Sequence, residues 1–323
     1  MKLESNALLI LGGMDIMISV KGLEKTYYKN KKKVNALIDI NLEINTGEIV
    51  CILGHNGAGK TSLIKCISNL ILPNSGEIII DGNLLSKNPD IAKDKIGAVL
   101  EGSRNIYYYL SPEENLRYFG LLNNLSSAEI KEKTELFLKM FDLTDRRKDP
   151  VNDFSRGMQQ KVAIVVALMK DPSILLLDEP TLGLDITSTA IVKDIIRDLA
   201  TKLNKTIIIT THDINLIEDL NSRLIFMNKG KIIKDAYLDE LHKELSRKDI
   251  IEILMENDKF DILKAEVDLS SFTFKREKYY TKLIIDDENW LKRNYSKINY
   301  KQINKKTIKF EELYNLIMKK DEQ

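Results

Sequence analysis

Gly54-His55-Asn56-Gly57-Ala58-Gly59-Lys60-Thr61 stands between an apolar run at residues 48–53 and a segment with helical spacing that reaches Leu70. Its glycines let the backbone curl until successive N–H groups point inward, the geometry that cradles phosphates. Lys60 adds a compact positive charge, Thr61 offers a hydroxyl to a divalent cation, and the following helix turns its positive end toward the anion. The pattern predicts a site for a nucleoside triphosphate with Mg2+, built from Gly54, Asn56, Gly57, Ala58, Gly59, Lys60, Thr61 and Ser62. His55 fills a variable position where only the backbone is required, and it is read as non-catalytic.

Outward from the loop, extended and helical patterns alternate. Residues 16–20, 42–44, 49–53, 77–81 and 97–100 read as short strands punctuated by Gly, Asn and Pro. Helical spacing then holds from Pro112 to Met140, opened by Ser111 and Glu114 as a capping box with Pro112 at the first helical position. Residues 155–169 read as a helix, 173–178 as a fully buried strand, 187–203 as an amphipathic helix, 206–211 as a β-branched strand and 213–220 as a further helix. That alternation predicts an α/β fold, a parallel sheet with crossover helices and a helical insert.

A second chemical landmark closes the buried strand: Ile174-Leu175-Leu176-Leu177-Asp178-Glu179. Side chains alternate along a strand, so the two acids point different ways unless the strand has ended, and each can take a separate role. Asp178 suits a Mg2+ shell, and Glu179 suits the orientation or deprotonation of an attacking water. Two anions at one strand end repel each other without a cation, so the pair makes most sense with magnesium and the basic loop opposite.

Between the landmarks lies Phe154-Ser155-Arg156-Gly157-Met158-Gln159-Gln160, and here the chain resembles the ATP-binding-cassette (ABC) ATPase family, whose hallmark is a Leu-Ser-Gly-Gly-Gln signature shortly before the acid pair. Pro180-Thr181-Leu182-Gly183-Leu184-Asp185 looks like the family's D-loop, and His212, after the next strand, like its switch histidine. The similarity spans residues 16–235. It implies a P-loop NTPase of ABC-ATPase type with an inserted helical subdomain at residues 102–170, ATP and Mg2+ as ligands, and Mg2+-dependent ATP hydrolysis. Under this resemblance Lys60, Glu179 and His212 are catalytic, while Thr61, Asp178 and Glu101 face the metal. Tyr27 resembles the residue that stacks on adenine, with Tyr28 as the alternative and a packing tyrosine as the other reading.

In the family two such domains meet head to tail, so that Ser155 and Gly157 of one chain complete the site on the other. Two departures stand out. Arg156 and Met158 replace the usual Gly and Gln of the signature, and Glu101 stands where the family has a glutamine. A carboxylate at that place brings negative charge close to the γ-phosphate, so hydrolysis is expected to differ in rate or pH dependence.

The resemblance implies two partners, a separate membrane permease and a second nucleotide-binding domain, as homodimer or paralogue, with no nucleic acid. It implies a cytoplasmic location, peripheral on the inner face of the cell membrane. Residues 102–109, with Tyr107, Tyr108 and Tyr109, either receive a short helix of the permease or pack the insert onto the core. The rival is a soluble ABC-type ATPase acting on nucleic acid or ribosomes, and a GTP switch is a further alternative that Asn228-Lys229-Gly230-Lys231, lacking a guanine-selecting acid, does not favour.

Composition bounds these readings. In 323 residues, 49 Lys and Arg face 48 Asp and Glu, a net charge of +1, so no global field draws nucleic acid or an anionic membrane. Cys51 and Cys66 form neither a disulfide framework nor a metal spacing and are expected in the core. No window reaches the ~20 apolar residues a membrane helix needs, so a soluble chain is expected, with residues 1–15 as a dispensable extension. After Asp235 the phosphate motifs end. Residues 249–255, 268–274 and 278–285 read as strands and 311–319 as a helix, a small α+β appendage at 236–323 that resembles the single-cassette ATPases of drug- and antibiotic-export systems.

Overall fold

The first described element is a long hairpin, β1 (Ile16–Lys29) and β2 (Lys32–Asn45), paired antiparallel from Ile16↔Asn45 to Lys29↔Lys32. The structure is a computed structural model that describes residues 15–29, 32–100, 105–213, 216–217, 220, 222–246, 249–285, 287–307 and 310–320. The hairpin far exceeds the strands expected at 16–20 and 42–44. Its polar ends have no apolar alternation of their own and are held by cross-strand pairing, which one strand read alone does not reveal. Next come β3 (Ile49–Leu53), α1 (Lys60–Ile67), β4 (Ser75–Ile80), β5 (Asn83–Leu84), α2 (Asp90–Lys95) and β6 (Ile96–Val99). The hairpin joins β4 and β5 in an antiparallel sheet of order β2-β1-β4-β5.

The helical insert contains α3 (Pro112–Leu122), α4 (Ser127–Met140) and α5 (Arg156–Leu168). The single helical stretch expected from Pro112 to Met140 is two helices. Asn124 takes a left-handed φ of 60°, and Ser126 with Glu129 forms a second capping box behind it. The first box, Ser111 with Glu114, is formed as the sequence predicts.

β7 (Ile174–Asp178), α6 (Ile186–Leu203), β8 (Thr206–Thr211), β9 (Arg223–Asn228) and β10 (Lys231–Tyr237) complete the central sheet, of order β10-β9-β3-β8-β7-β6. All its pairings are parallel except β9 with β10. Every residue of β7 and β8 is buried, as a parallel sheet covered on both faces requires. The helix expected at 213–220 lies partly outside the described residues. One core cluster joins Ile18 and Ile44 of the hairpin to Leu63 and Ile64 of α1 and to Val50 and Leu176 of the central sheet. Each such side chain contributes about 1.5–3 kcal/mol of burial, which fixes α1 against β3 and holds the loop between them.

A second compact unit begins at Leu238. It runs α7 (Leu238–Ser246), β11 (Asp249–Glu256), α8 (Asn257–Glu266), β12 (Thr273–Arg276), β13 (Tyr280–Ile285), α9 (Glu288–Asn294), β14 (Gln302–Thr307) and α10 (Phe310–Lys320). The antiparallel sheet has order β12-β13-β11-β14, and the run β11-α8-β12-β13-α9-β14 is a βαββαβ arrangement. Alternate residues of β11 and β13 meet Phe260 and Leu263 of α8 in a core of their own. The strand expected at 268–274 starts only at Thr273, because Asp268 accepts from Ser270 N at 2.9 Å and turns the chain. Strand β14 and the helices α7, α8 and α9 have no counterpart in the sequence reading. Gln-Ile-Asn-Lys-Lys-Thr of β14, for one, lacks any apolar alternation.

Candidate functional site

β3 is buried from Val50 to Leu53, and beyond it the chain turns at Gly54 toward α1. The turn needs Gly59, whose φ is 109° and whose missing side chain leaves room for the Ala36 carbonyl. Ala58 N donates to His55 O at 3.1 Å, and Gly230 N donates to Ala58 O at 2.9 Å, so the β9–β10 turn braces the loop. Among the described residues no side chain caps α1, which leaves its first amides to an anion. Asn56 and Gly57 are exposed beside them, as is His55. The Lys60 ammonium is buried, donates to Gly54 O at 2.5 Å and lies 3.6 Å from Glu179 Oε1.

At the end of β7 the two acids separate. Asp178 Oδ1 accepts from Thr61 Oγ1 at 3.3 Å and also from Thr210 Oγ1 on β8. Its Oδ2 is buried and has no hydrogen-bond partner among the described residues. A bare buried carboxylate oxygen is costly unless a cation faces it, and hard oxygens from a carboxylate and a hydroxyl are the donors magnesium prefers. The residues present therefore fit Mg2+.

Glu179 is the first residue past the strand, with a left-handed φ of 51°, held by its N–H donating to Thr210 O at 2.9 Å. A non-glycine residue there costs on the order of 1–3 kcal/mol, and the gain is direction: the carboxylate swings away from Asp178. His212 Nδ1–H donates to Glu179 Oε1 at 3.0 Å, with the ring itself half exposed. Lys60, Thr61, Asp178, Glu179 and His212 are thus brought together where β3, β7 and β8 end. Glu101, the third expected metal ligand, lies outside the described residues.

Tyr27 is 38% exposed on β1, its hydroxyl 3.5 Å from Ser62 Oγ and its ring under the Lys25 ammonium at 5.3 Å from the centroid. Tyr28 is more exposed, without those contacts to the loop. Ser155 caps α5, its Oγ accepting from Met158 N at 3.3 Å, and is exposed, whereas Gly157 is buried. Gln159 braces this start by donating from Nε2 to Val151 O and Phe154 O, each at 3.2 Å. A cavity of 470 Å³ separates α5 from the acids, lined by Asn105, Tyr108, Arg156, Gln159, Leu182 and Glu179. Thr210 is the site residue that sequence reasoning missed; its signal was a hydroxyl placed on the strand beside an acid.

Tyr107 packs onto the insert, the second of the two readings given to its segment. It is half exposed, yet its hydroxyl donates to Tyr118 at 3.2 Å and the two rings meet edge-on at 4.9 Å. Burial pushes the Cys51 thiol up to about 12 and Cys66 to about 11, so neither supplies a thiolate at neutral pH. Among the described residues no helix is long and apolar enough to cross a membrane.

Comparison with known proteins places residues 37–182 in the family described as ABC transporter. The ABC transporter ATP-binding protein NatA of Bacillus subtilis (strain 168) is 38% identical over 239 residues, 74% of this chain and 97% of NatA. The methionine import ATP-binding protein MetN of Photobacterium profundum is 34% identical over 72% of this chain and 70% of MetN. Among solved structures, the dimeric post-hydrolysis state of the ATP-binding cassette MJ0796 bound to ADP and Pi superposes with a TM-score of 0.62 at 31% identity, covering 69% of this chain and 99% of that one. The structure of cbiO1 from Clostridium perfringens, part of the ABC transporter complex cbiONQ, gives a TM-score of 0.63 at 27% identity, covering 72% and 95% of the two chains.

Proposed function

This chain belongs to the ABC transporter family as an ATP-binding subunit with Mg2+-dependent ATPase activity, and from that premise we propose how its residues divide the chemistry and what the chemistry drives. Two copies, or one copy and a paralogue, close head to tail on ATP beneath a separate membrane permease, at the inner face of the cell membrane. The amides of Gly54, Asn56, Gly57, Ala58, Gly59 and Lys60 hold the β- and γ-phosphates, with Ser62 at the start of α1 and Tyr27 against the adenine. An entering phosphate competes with Glu179 for the Lys60 ammonium, now 3.6 Å away. That exchange frees the Glu179 carboxylate to accept a proton from, or orient, the attacking water.

Thr61 and Asp178 would hold Mg2+, and Glu101 stays a third candidate ligand on its place in the sequence alone. When bound, the ion neutralises phosphate charge. His212 keeps the Glu179 carboxylate in place through the 3.0 Å bond and so positions it against the γ-phosphate that Lys60 would hold. Ser155, Gly157 and the first amides of α5 complete the partner's site. Chemistry of this kind rests on positioning and electrostatic stabilisation.

The observation that carries the assignment is the meeting of Lys60 and His212 on one oxygen of Glu179, just past the end of β7. Glu179→Gln keeps the shape and removes the base. Steady-state ATP turnover is expected to fall at least about a hundredfold, ~2.7 kcal/mol of barrier, while size-exclusion chromatography with Mg2+ and ATP shows a dimer that the wild type forms only transiently. Undiminished turnover, or a monomer with ATP bound, refutes the sandwich.

For direction we propose export. Support comes from one cassette followed by a small α+β unit and from a signature carrying Arg156 and Met158. MetN, by its name, serves import, which is the alternative the test below must separate. Deleting this chain from its native cell is expected to raise sensitivity to amphiphilic antibiotics; a growth defect relieved by supplying a nutrient assigns import instead.

A further inference from the structure

The signature and the D-loop are distinct loops in the sequence, but in this chain two close contacts lock them together. Gly157, at the start of α5, lies under Ser188 of α6: a methyl on Gly157 would stand 2.5 Å from Ser188 Oγ and 2.6 Å from its Cβ. Gly183, in the turn after β7, lies under Arg156, and a methyl there would overlap Arg156 Nη1. The D-loop glycine is filled by Arg156 of the signature, and the signature glycine by Ser188 in the first turn of α6, the helix the D-loop leads into. Gly183 also takes a φ of 74°, so the position resists a side chain on backbone grounds as well.

The turn between them is short and rigid. Leu182 N donates to Glu179 O at 3.1 Å and Leu184 N donates to Thr181 O at 3.1 Å. Asp185 then caps α6, its Oδ1 accepting from Ser188 N at 2.8 Å and its Oδ2 from Ser188 Oγ at 3.0 Å. A continuous path of bonded and touching groups therefore leads from Glu179 through Gly183 to the Arg156 guanidinium, next to Ser155.

On the sandwich reading, on which this step rests, Glu179 and Ser155 of one chain serve different nucleotides: Glu179 the ATP on its own loop, Ser155 the ATP on the partner's loop. We infer that Arg156, packed on Gly183, is a positioning residue that ties the Glu179 turn to the signature and so couples the two ATP sites of the dimer. The guanidinium meets the glycine end-on: Nη1 fills the place a Cβ would take, with Cζ 3.6 Å from it. The contact transmits displacement rather than charge, and a signature with glycine at the position of Arg156 has no side chain to make it.

The test uses Arg156→Ala, Arg156→Lys and Gly183→Ala in the full chain, with the melting temperature as the check on folding. Arg156 is exposed, and Arg156→Ala is expected to melt with the wild type. Its kcat is expected to fall about tenfold with KM for ATP nearly unchanged, and its turnover against ATP concentration to lose sigmoidal shape. Arg156→Lys keeps the charge but lacks the Nη1 that seats on Gly183, and is expected not to rescue; Gly183→Ala, which expels the guanidinium from the turn, is expected to reproduce the loss. Unchanged kcat and curve shape in Arg156→Ala overturn the inference. A rise in KM at constant kcat, or full rescue by Arg156→Lys, also overturns it, by showing that Arg156 acts as a charge on the nucleotide. Dimerisation of Glu179→Gln with ATP is measured alongside: its absence brings down the sandwich reading, whereas its presence with an unaltered Arg156→Ala enzyme brings down this inference alone.

Discussion

Asp178 owes its orientation to a residue with no chemistry of its own. Thr210 donates to one carboxylate oxygen, Thr61 donates to the same one, and the buried Oδ2 is left to face a cation. Partners that hold a metal ligand typically influence affinity about 10–100-fold. Thr210→Val, which preserves volume and removes the hydroxyl, is accordingly expected to raise the Mg2+ concentration for half-maximal ATPase activity about tenfold, with a loss of stability of about 1–3 kcal/mol because the buried Asp178 carboxylate loses a donor. A Mg2+ titration of turnover checks it. Lys60, Thr61 and Asp178 are legible in the sequence because their spacing around a strand and a helix is itself the signal. Thr210 is not, because its role depends on which strand lies beside β7, and strand order is a property of the folded sheet. The direction of Glu179 was equally hidden: a left-handed residue after a strand leaves no mark in composition when the residue is not glycine.

Among the elements, helix ends were easier to find than strand ends. The capping box at Ser111 and Glu114 is local, and the structure forms it; the box at Ser126 and Glu129 is just as local and marks the start of a helix the sequence reading had merged with its neighbour. Ser126 N donates to Glu129 Oε2 at 2.7 Å and Glu129 N donates to Ser126 Oγ at 3.3 Å. Ser126→Ala is expected to lower stability by about 1 kcal/mol, read as an earlier midpoint in urea denaturation, with KM for ATP unmoved because α4 carries no phosphate contact. The hairpin β1–β2 illustrates the opposite case. Its outer half, with Tyr27, is extended because two polar strands pair with each other, and pairing over so many residues is non-local information.

For the whole molecule, each of the two compact units has an apolar cluster to describe. One cluster holds the hairpin, α1 and the central sheet; another, around Phe260 and Leu283, belongs to the βαββαβ unit. Phe260→Ala empties a fully buried position and is expected to cost about 3–5 kcal/mol, all of it within the second unit. Differential scanning calorimetry should show one transition moved down and another in place, with nucleotide affinity retained. The cassette was readable because each of its motifs couples a backbone shape to a chemistry. The second unit was only partly readable, because its lysine- and asparagine-rich strands and helices are specified by burial on one face, and the short segments carry few apolar residues to announce it.

A four-stranded sheet wrapped on its own apolar cluster gives the trailing unit a fold of its own, so amide hydrogens of β11 and β13 should exchange as one protected block.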